Sequence, residues 1–140
     1  MENRIRINHV ALWNRSEKNA DTFYGELLGL EKQYQFTLDA ELAFKIFGTR
    51  QPLRAIVFAN ANYRIEVFLS DRDQLQVPVI NHICFEIKNR EQFLHQCAES
   101  GIERIVIPRN GGQTVFIRDF DGNLFEIKER SNDSDSGSQG

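Results

Sequence analysis

The sequence lacks the long apolar runs and basic clusters that mark several classes of protein. No apolar run approaches the roughly 20 residues that cross a bilayer, so no membrane-spanning helix is predicted. With a net charge of -3 and no block of Lys and Arg, the sequence has no electrostatic signature of nucleic-acid binding. The polar N-terminal segment leads straight into a strand pattern and does not resemble a signal peptide. We therefore expect a cytoplasmic protein that binds neither membranes nor nucleic acids.

Cysteine is also scarce, with only two residues in the sequence. Cys84 falls in a strand pattern and Cys97 in a helix pattern, each among apolar neighbours. This setting is typical of buried, reduced thiols in a cytoplasmic protein. We predict that both side chains are buried and that neither forms a disulfide.

The residues that are present indicate a soluble protein with a substantial core. Hydrophobic residues make up 41% of the 140 residues and include 11 Phe, whereas charged residues make up 26%. A chain of this length forms one domain, or two half-size units that share a core.

A repeated pattern divides the sequence into two similar halves. The segment INHV at 7–10 recurs as INHI at 80–83, and each copy opens a strand pattern. Apolar residues at helical spacing follow in both halves, and each helix pattern ends at a glycine, Gly29 or Gly101. Both halves therefore begin with a strand and a helix in matching order.

Three further strands complete each half. Asp121 and Gly122 form a strong hairpin-turn signal between the last two strands. Segment 39–47 in the first half has Asp39 as a capping residue and an apolar side, which predicts a short helix, with a strand as the alternative. The predicted strands are 5–13, 31–37, 53–60 and 63–69 in the first half, and 79–87, 103–107, 113–118 and 124–129 in the second.

These patterns predict an α+β fold of two tandem βαβββ units that form a curved sheet, or half-barrel, with the helices outside and a cleft within. We predict a single domain over residues 1–130, in which the units 5–69 and 79–129 are joined by a polar linker at 70–78. Residues 131–140 contain no apolar side chain and are expected to be disordered.

Five segments carry a family resemblance through their order and spacing. They are INHVAL (7–12), TFYGELLGLE (22–31), RIEVF (64–68), INHICF (80–85) and IRDFDGNLFEIKE (117–129). Together they resemble motifs of the vicinal oxygen chelate superfamily, which contains glyoxalase I and its relatives, and the resemblance covers nearly all of Ile7 to Glu129. The resemblance specifies the fold more closely than the reaction, because one fold supports many reactions.

Four ionisable side chains interrupt the apolar strands at equivalent places. His9 and His82 lie in the first strand of each half, whereas Glu66 and Glu126 lie in the last. A carboxylate in a largely buried strand is costly unless a cation or hydrogen-bond donors compensate it. Pseudo-twofold symmetry is expected to bring all four toward a common axis. In the resembling family, metal ligands occupy the positions that match these four residues.

Two imidazoles and two carboxylates suit a divalent ion such as Zn, Ni, Mn, Fe or Co. We therefore predict one divalent metal ion as cofactor. If the ion is octahedral, two positions stay open for neighbouring substrate oxygens, the bidentate chelation that gives the family its name. The glyoxalase-like members imply that Glu126 is both ligand and acid–base catalyst and that Glu66 is a ligand that assists it.

The resemblance implies a metal-dependent lyase or isomerase of the glyoxalase I type, which moves a proton beside a chelated carbonyl of a small oxygenated substrate. Arg64 and Arg118 are candidates for binding an anionic substrate group, with surface ion pairs as the alternative. The competing interpretations are an Fe(II)-dependent dioxygenase and a metal-free antibiotic-binding protein. The full set of two His and two Glu favours the lyase or isomerase over both. We expect a homodimer, with or without exchange of units.

Overall fold

The computed structural model describes residues 7–71 and 81–130. These residues fall into two compact units, one within Met1–Leu75 and the other within Gln76–Gly140. Each unit contains a four-stranded mixed sheet, so the predicted α+β fold of two βαβββ units is confirmed. Among the residues described, no helix has the length and apolar character needed to cross a membrane.

The first unit contains four strands and two helices. They are β1 (Val10–Asn14), α1 (Glu17–Ala20, continuing as a π-helix over Asp21–Leu27), β2 (Glu31–Leu38), α2 (Ala40–Phe47), β3 (Leu53–Ala59) and β4 (Arg64–Leu69). The strand order is β1-β4-β3-β2, with β1 parallel to β4 and the other pairs antiparallel. β4 is therefore an interior strand of its sheet.

The second unit repeats this arrangement with one helix fewer. Its elements are β5 (Ile83–Ile87), α3 (Arg90–Glu99), β6 (Ile105–Arg109), β7 (Gly112–Arg118) and β8 (Leu124–Glu129). The order β5-β8-β7-β6 gives β8 the place that β4 holds in the first sheet. Where the first unit has α2, the second has only a short connection through Asn110 and Gly111, in which Gly111 adopts a φ of 81°.

Helix α1 covers one face of the first sheet. Phe23 and Tyr24 are fully buried, and the ring centroid of Tyr24 lies 5.8 Å from that of Phe58 on β3. Phe58 pairs in register with Ile65 of β4, so Ile65 and Val67 point toward this helix and are buried. The side chains at positions 64, 66 and 68 of β4 therefore point to the opposite face.

The side chains of β8 also alternate between a buried face and an opposite face of the sheet. Phe125 and Ile127 are fully buried, and Arg90 of α3 donates a hydrogen bond to the Ile127 carbonyl at 3.4 Å. Because side chains alternate along a strand, Glu126 points to the other face. The last strand of each unit thus carries apolar side chains toward a helix and a glutamate away from it.

Segment 39–47 forms a helix, as predicted, rather than the alternative strand. Oδ1 of Asp39 accepts a hydrogen bond from the Leu42 amide at 2.8 Å, and Gly48, with a φ of 77°, ends the helix. The predicted apolar side is not buried, however: Leu42, Ile46 and Phe47 are 44%, 54% and 50% exposed.

Both histidines lie immediately before a strand rather than within it. β1 begins at Val10, which pairs with Ile65 of β4. The ladder between these two strands therefore stops one residue short of His9. His82 likewise precedes β5. Residues 5, 6, 79 and 80 of the predicted strands lie outside the described residues, as do most of the predicted linker and the predicted disordered tail.

The prediction of two buried cysteines is correct for Cys97 and wrong for Cys84. Cys97 is fully buried on α3, and this burial raises the pKa of its thiol to about 11. Cys84 is exposed, because it pairs in register with Glu126 and shares the sheet face that points away from α3. Desolvation and the negative charge of Glu126 raise the pKa of the Cys84 thiol.

A buried carboxylate organises the connection between β7 and β8. Asp119 is only 5% exposed, and its Oδ1 accepts hydrogen bonds from the amides of Asp121 and Asn123, both at 2.9 Å. Its Oδ2 accepts a third bond from Nδ2 of Asn123 at 2.8 Å. The predicted turn at Asp121 and Gly122 is confirmed, and Asp119 is the residue that holds it.

We expect Asp119→Ala to lower the free energy of unfolding by about 2–4 kcal/mol, because three donors lose a buried acceptor. Urea denaturation would measure the loss. Asp71→Ala, which removes an exposed aspartate, is the matched control and is expected to change the value by less than about 0.5 kcal/mol. Equal midpoints for the two variants would contradict this account of the turn.

A cluster of ion pairs joins α1 to the edge of the first sheet. Nζ of Lys32 lies 2.8 Å from both Oε2 of Glu17 and Oδ1 of Asp21, and Nη2 of Arg54 lies 2.8 Å from Oε1 of Glu17. These contacts, with Lys32 first and Arg54 second, lower the pKa of Glu17 below its usual 4.5.

We expect the stabilisation from Glu17 to depend on pH. Because the pKa of this carboxyl is lower in the folded than in the unfolded chain, its contribution is present above about pH 4.5 and is lost as the pH falls through the lowered value. Glu17→Gln should therefore destabilise the protein by about 1 kcal/mol or less at pH 7, since the pair is partly exposed. The difference should disappear in acid, as measured by thermal unfolding, whereas exposed Glu26→Gln should have no effect at either pH.

Candidate metal centre

Each unit brings one histidine and one glutamate together. In the first unit, Nε2 of His9 lies 3.4 Å from Oε1 of Glu66; in the second, Nε2 of His82 lies 3.6 Å from Oε1 of Glu126. Each histidine stands one residue before the first strand of its unit, and each glutamate is the third residue of the last strand. The parallel pairing of these two strands brings the members of each pair together, so the four residues form two equivalent pairs.

Both glutamates are mostly buried, and neither receives a conventional hydrogen bond from the part of the chain that the structure describes. The Glu66 side chain is 14% exposed and the Glu126 side chain 18% exposed. Their separations from the histidines exceed the 2.7–3.2 Å of a good hydrogen bond. Within 7–71 and 81–130, no other group donates a hydrogen bond to either carboxylate. A cation bound beside each pair would compensate these carboxylates.

The spacing within each pair fits a shared metal ion. Two ligand atoms that are each about 2.1 Å from one ion are roughly 3.0 Å apart at right angles and roughly 3.4 Å apart in a tetrahedron. The observed 3.4 and 3.6 Å therefore need only a small side-chain adjustment. Among residues 7–71 and 81–130, no group of three or more His, Cys, Asp or Glu that could hold a metal ion is found. Each unit therefore supplies two candidate ligands.

The two imidazoles are oriented by different contacts. Oδ1 of Asn8 lies 2.8 Å from Nδ1 of His9. Because a carboxamide oxygen can only accept, Nδ1 of His9 is the donor in this contact, and Nε2 is the ring nitrogen that faces Glu66. The His82 ring instead makes an edge contact with Phe116, with centroids 5.8 Å apart.

Sequence reasoning missed the role of Asn8. Along a strand, neighbouring side chains point to opposite faces, so the predicted strand over 5–13 would place Asn8 away from His9. Both residues precede β1, where this alternation does not apply. The one sequence signal was the position of a carboxamide next to a candidate ligand.

The two candidate arginines have different surroundings. Arg64 is partly buried on β4, on the same face as Glu66, and the described residues supply no ion-pair partner for it. Arg118 is exposed at the end of β7, and its Nη1 donates a hydrogen bond to the Gly122 carbonyl at 2.7 Å. The guanidinium of Arg118 therefore already supports the turn that Asp119 organises, whereas that of Arg64 is available to a ligand.

Solved structures with the same fold include several glyoxalase family proteins and a resistance protein. The glyoxalase family protein from Enterococcus faecalis is 21% identical, with a TM-score of 0.65 and coverage of 87% of this chain and 95% of that one. The glyoxalase family protein from Bacillus cereus is 20% identical, with a TM-score of 0.66 and coverage of 91% and 95%. The fosfomycin resistance protein FosX from Listeria monocytogenes, solved with Mn(II) and sulfate, is 21% identical, with a TM-score of 0.63 and coverage of 94% and 97%.

At these identities, the likeness to solved structures shows the fold alone. Among curated proteins, no sequence matches the chain significantly. The family model described as Glyoxalase/Bleomycin resistance protein/Dioxygenase superfamily matches residues 6–127, a span that includes both His–Glu pairs. The chain therefore belongs to the glyoxalase/bleomycin resistance/dioxygenase superfamily, as its motifs predicted.

Proposed function

We propose that this protein is a metal-dependent lyase or isomerase of the glyoxalase I type and that His9, Glu66, His82 and Glu126 hold one divalent ion. The observation that carries the proposal is the repetition of one His–Glu pair at the same place in both units, with separations of 3.4 and 3.6 Å. Packing alone gives no reason for two units to keep the same pair of donor types at the same spacing. Metalloenzymes of the same superfamily, and the Mn(II) in FosX, support it further.

The chain's own carboxylates are suited to moving a proton. A divalent ion, when bound, supplies polarisation of two neighbouring substrate oxygens and makes the adjacent C–H more acidic. The Glu126 carboxylate accepts that proton and returns it to the neighbouring carbon, and Glu66 assists from the other pair. Their side chains are only 18% and 14% exposed, so little water competes for the proton in transit.

An anionic group on the substrate would be bound first by Arg64. Arg64 and Glu66 are two residues apart on one face of β4, so their backbone positions are about 7 Å apart. Arg118 serves as a second, weaker contact because one of its five N–H donors is used by the Gly122 carbonyl. We also propose that the protein is cytoplasmic and forms a homodimer. Light scattering of the purified protein would test the dimer.

We expect the three histidines to differ in their effect on metal binding. His9→Ala and His82→Ala should each weaken binding of Mn(II) or Zn(II) by roughly 100-fold or more, because each removes a ligand. His95 is exposed on α3, 3.6 Å from Glu91, and His95→Ala is the matched control. Equilibrium dialysis followed by elemental analysis gives the affinity and the number of ions per chain. Three variants with wild-type metal content would refute the proposed centre, whereas absence of metal from the wild-type protein would favour a metal-free binding protein.

We expect Glu126→Gln to lower turnover by roughly 100- to 10,000-fold, the range typical for loss of an acid–base group. The assay follows the hemithioacetal of methylglyoxal and glutathione, with metal content measured on the same sample. Exposed Glu99→Gln on α3 is the control and should leave turnover unchanged. Full turnover by Glu126→Gln would exclude it as the base. Oxygen consumption by the iron-loaded protein would instead identify the dioxygenase.

A further inference from the structure

Aromatic rings line the face of the first sheet that carries the His9–Glu66 pair. Phe68 is two residues beyond Glu66 on β4, so the two side chains share a face, with backbone positions about 7 Å apart. The rings of Phe36 and Phe47 lie 6.0 and 5.1 Å from that of Phe68, and the ring of Tyr34 lies 6.4 Å from that of Phe36. We call these four residues the aromatic wall.

Strand register places the aromatic wall in line with the candidate metal ligand. Phe36 on β2 and Phe68 on β4 both pair with Ala55 of β3, so they stand in one row across the sheet. The next row contains Tyr34, Val57 and Glu66. Over the small side chain of Ala55, these two rings make an edge-to-face contact. A ligand on this face therefore meets a carboxylate in one row and aromatic rings in the same and the next row.

The aromatic wall is incompletely covered by its own unit. Tyr34 is 49% exposed and Phe47 is 50% exposed, whereas Tyr24 and Phe58 on the opposite, helix-covered face are completely buried. Rings left exposed beside the His9–Glu66 pair contribute less to folding than buried rings do, and they keep apolar area available for a ligand.

The aromatic wall is also not a product of the repeat. In the second unit, the row of Glu126 contains Phe116, and that ring contacts His82 instead of joining an aromatic cluster. The second unit has no counterpart of α2, which supplies Phe47, because β6 and β7 are joined through Asn110 and Gly111. On this face, the described residues of the second unit thus offer one ring, whereas the first unit offers the four rings of the aromatic wall and that of Trp13, which pairs in register with Phe68.

We propose that the aromatic wall binds an aromatic ring of the substrate while vicinal oxygens of the same molecule reach the His9–Glu66 pair. The substrate class is then an aryl-substituted α-hydroxy or α-keto compound. This inference rests on the proposed function for its chelating end. The spacing of about 7 Å between Glu66 and Phe68 suits a ring attached to the carbon that bears the oxygens.

Two ligands that differ only in the ring provide the test. Mandelate and lactate both carry a hydroxyl and a carboxylate on neighbouring carbons, but mandelate has a phenyl group where lactate has a methyl group. With Mn(II) present, we expect the wild-type protein to bind mandelate roughly tenfold or more tightly than lactate, by calorimetry. Trp13, the only tryptophan, pairs in register with Phe68, and its fluorescence gives a second readout.

Phe68→Leu keeps an apolar side chain and removes the ring. We expect its preference for mandelate to fall below about threefold while its affinity for lactate stays unchanged. Phe120→Leu, at a ring that is 38% exposed in the second unit, should keep the wild-type preference. If Phe68→Leu does not fold, Phe36→Leu provides the same comparison.

The outcomes separate this inference from the proposed function. Absence of metal binding with a Phe68-dependent preference for mandelate would refute the metal proposal and support the aromatic wall. Metal binding with equal affinity for the two ligands would refute the aromatic wall alone. A change in oligomeric state in Phe68→Leu, with the mandelate preference intact, would show that a second copy of the chain covers these rings and would overturn the inference.

Discussion

The arrangement depends on one electrostatic constraint: a carboxylate in the middle of an interior strand has lost most of its water and needs positive charge nearby. Glu66 and Glu126 are both in this position, and each faces a histidine that is close but not within good hydrogen-bonding geometry. In the proposed centre, a bound cation would compensate both carboxylates.

The packing of the strands fixes the sheet face to which each carboxylate points. Ile65 and Val67 are held against α1, and Phe125 and Ile127 are buried on the face from which Glu126 points away. A shift of one residue in register would turn each glutamate into the apolar core, at a cost of several kcal/mol. The hydrophobic core therefore fixes which way the acidic groups point, and packing and chemistry are specified by the same alternation.

Most of the fold could be predicted from the sequence because its signals are local. Glycines end the helices, Asp39 caps α2, and the strand patterns alternate as they should. The exposure of the apolar side of α2 and of the Cys84 side chain could not be predicted, because the type of a residue does not reveal whether its neighbours in space cover it. The contact of Asn8 with His9 depends on where the ladder ends, which is a property of paired strands. The four candidate ligands were recognisable because one His and one Glu occur at equivalent places in both halves.

The difference in the connection between the second and third strands has a consequence for how such a protein changes over time. One half closes this connection with a short turn through Asn110 and Gly111, whereas the other inserts a whole helix. A duplicated architecture can therefore keep its reactive groups constant in both copies while one copy alone acquires new recognition surface. Selection for a different substrate would act first on α2. Its residues take part in no strand pairing and include none of the four candidate metal ligands.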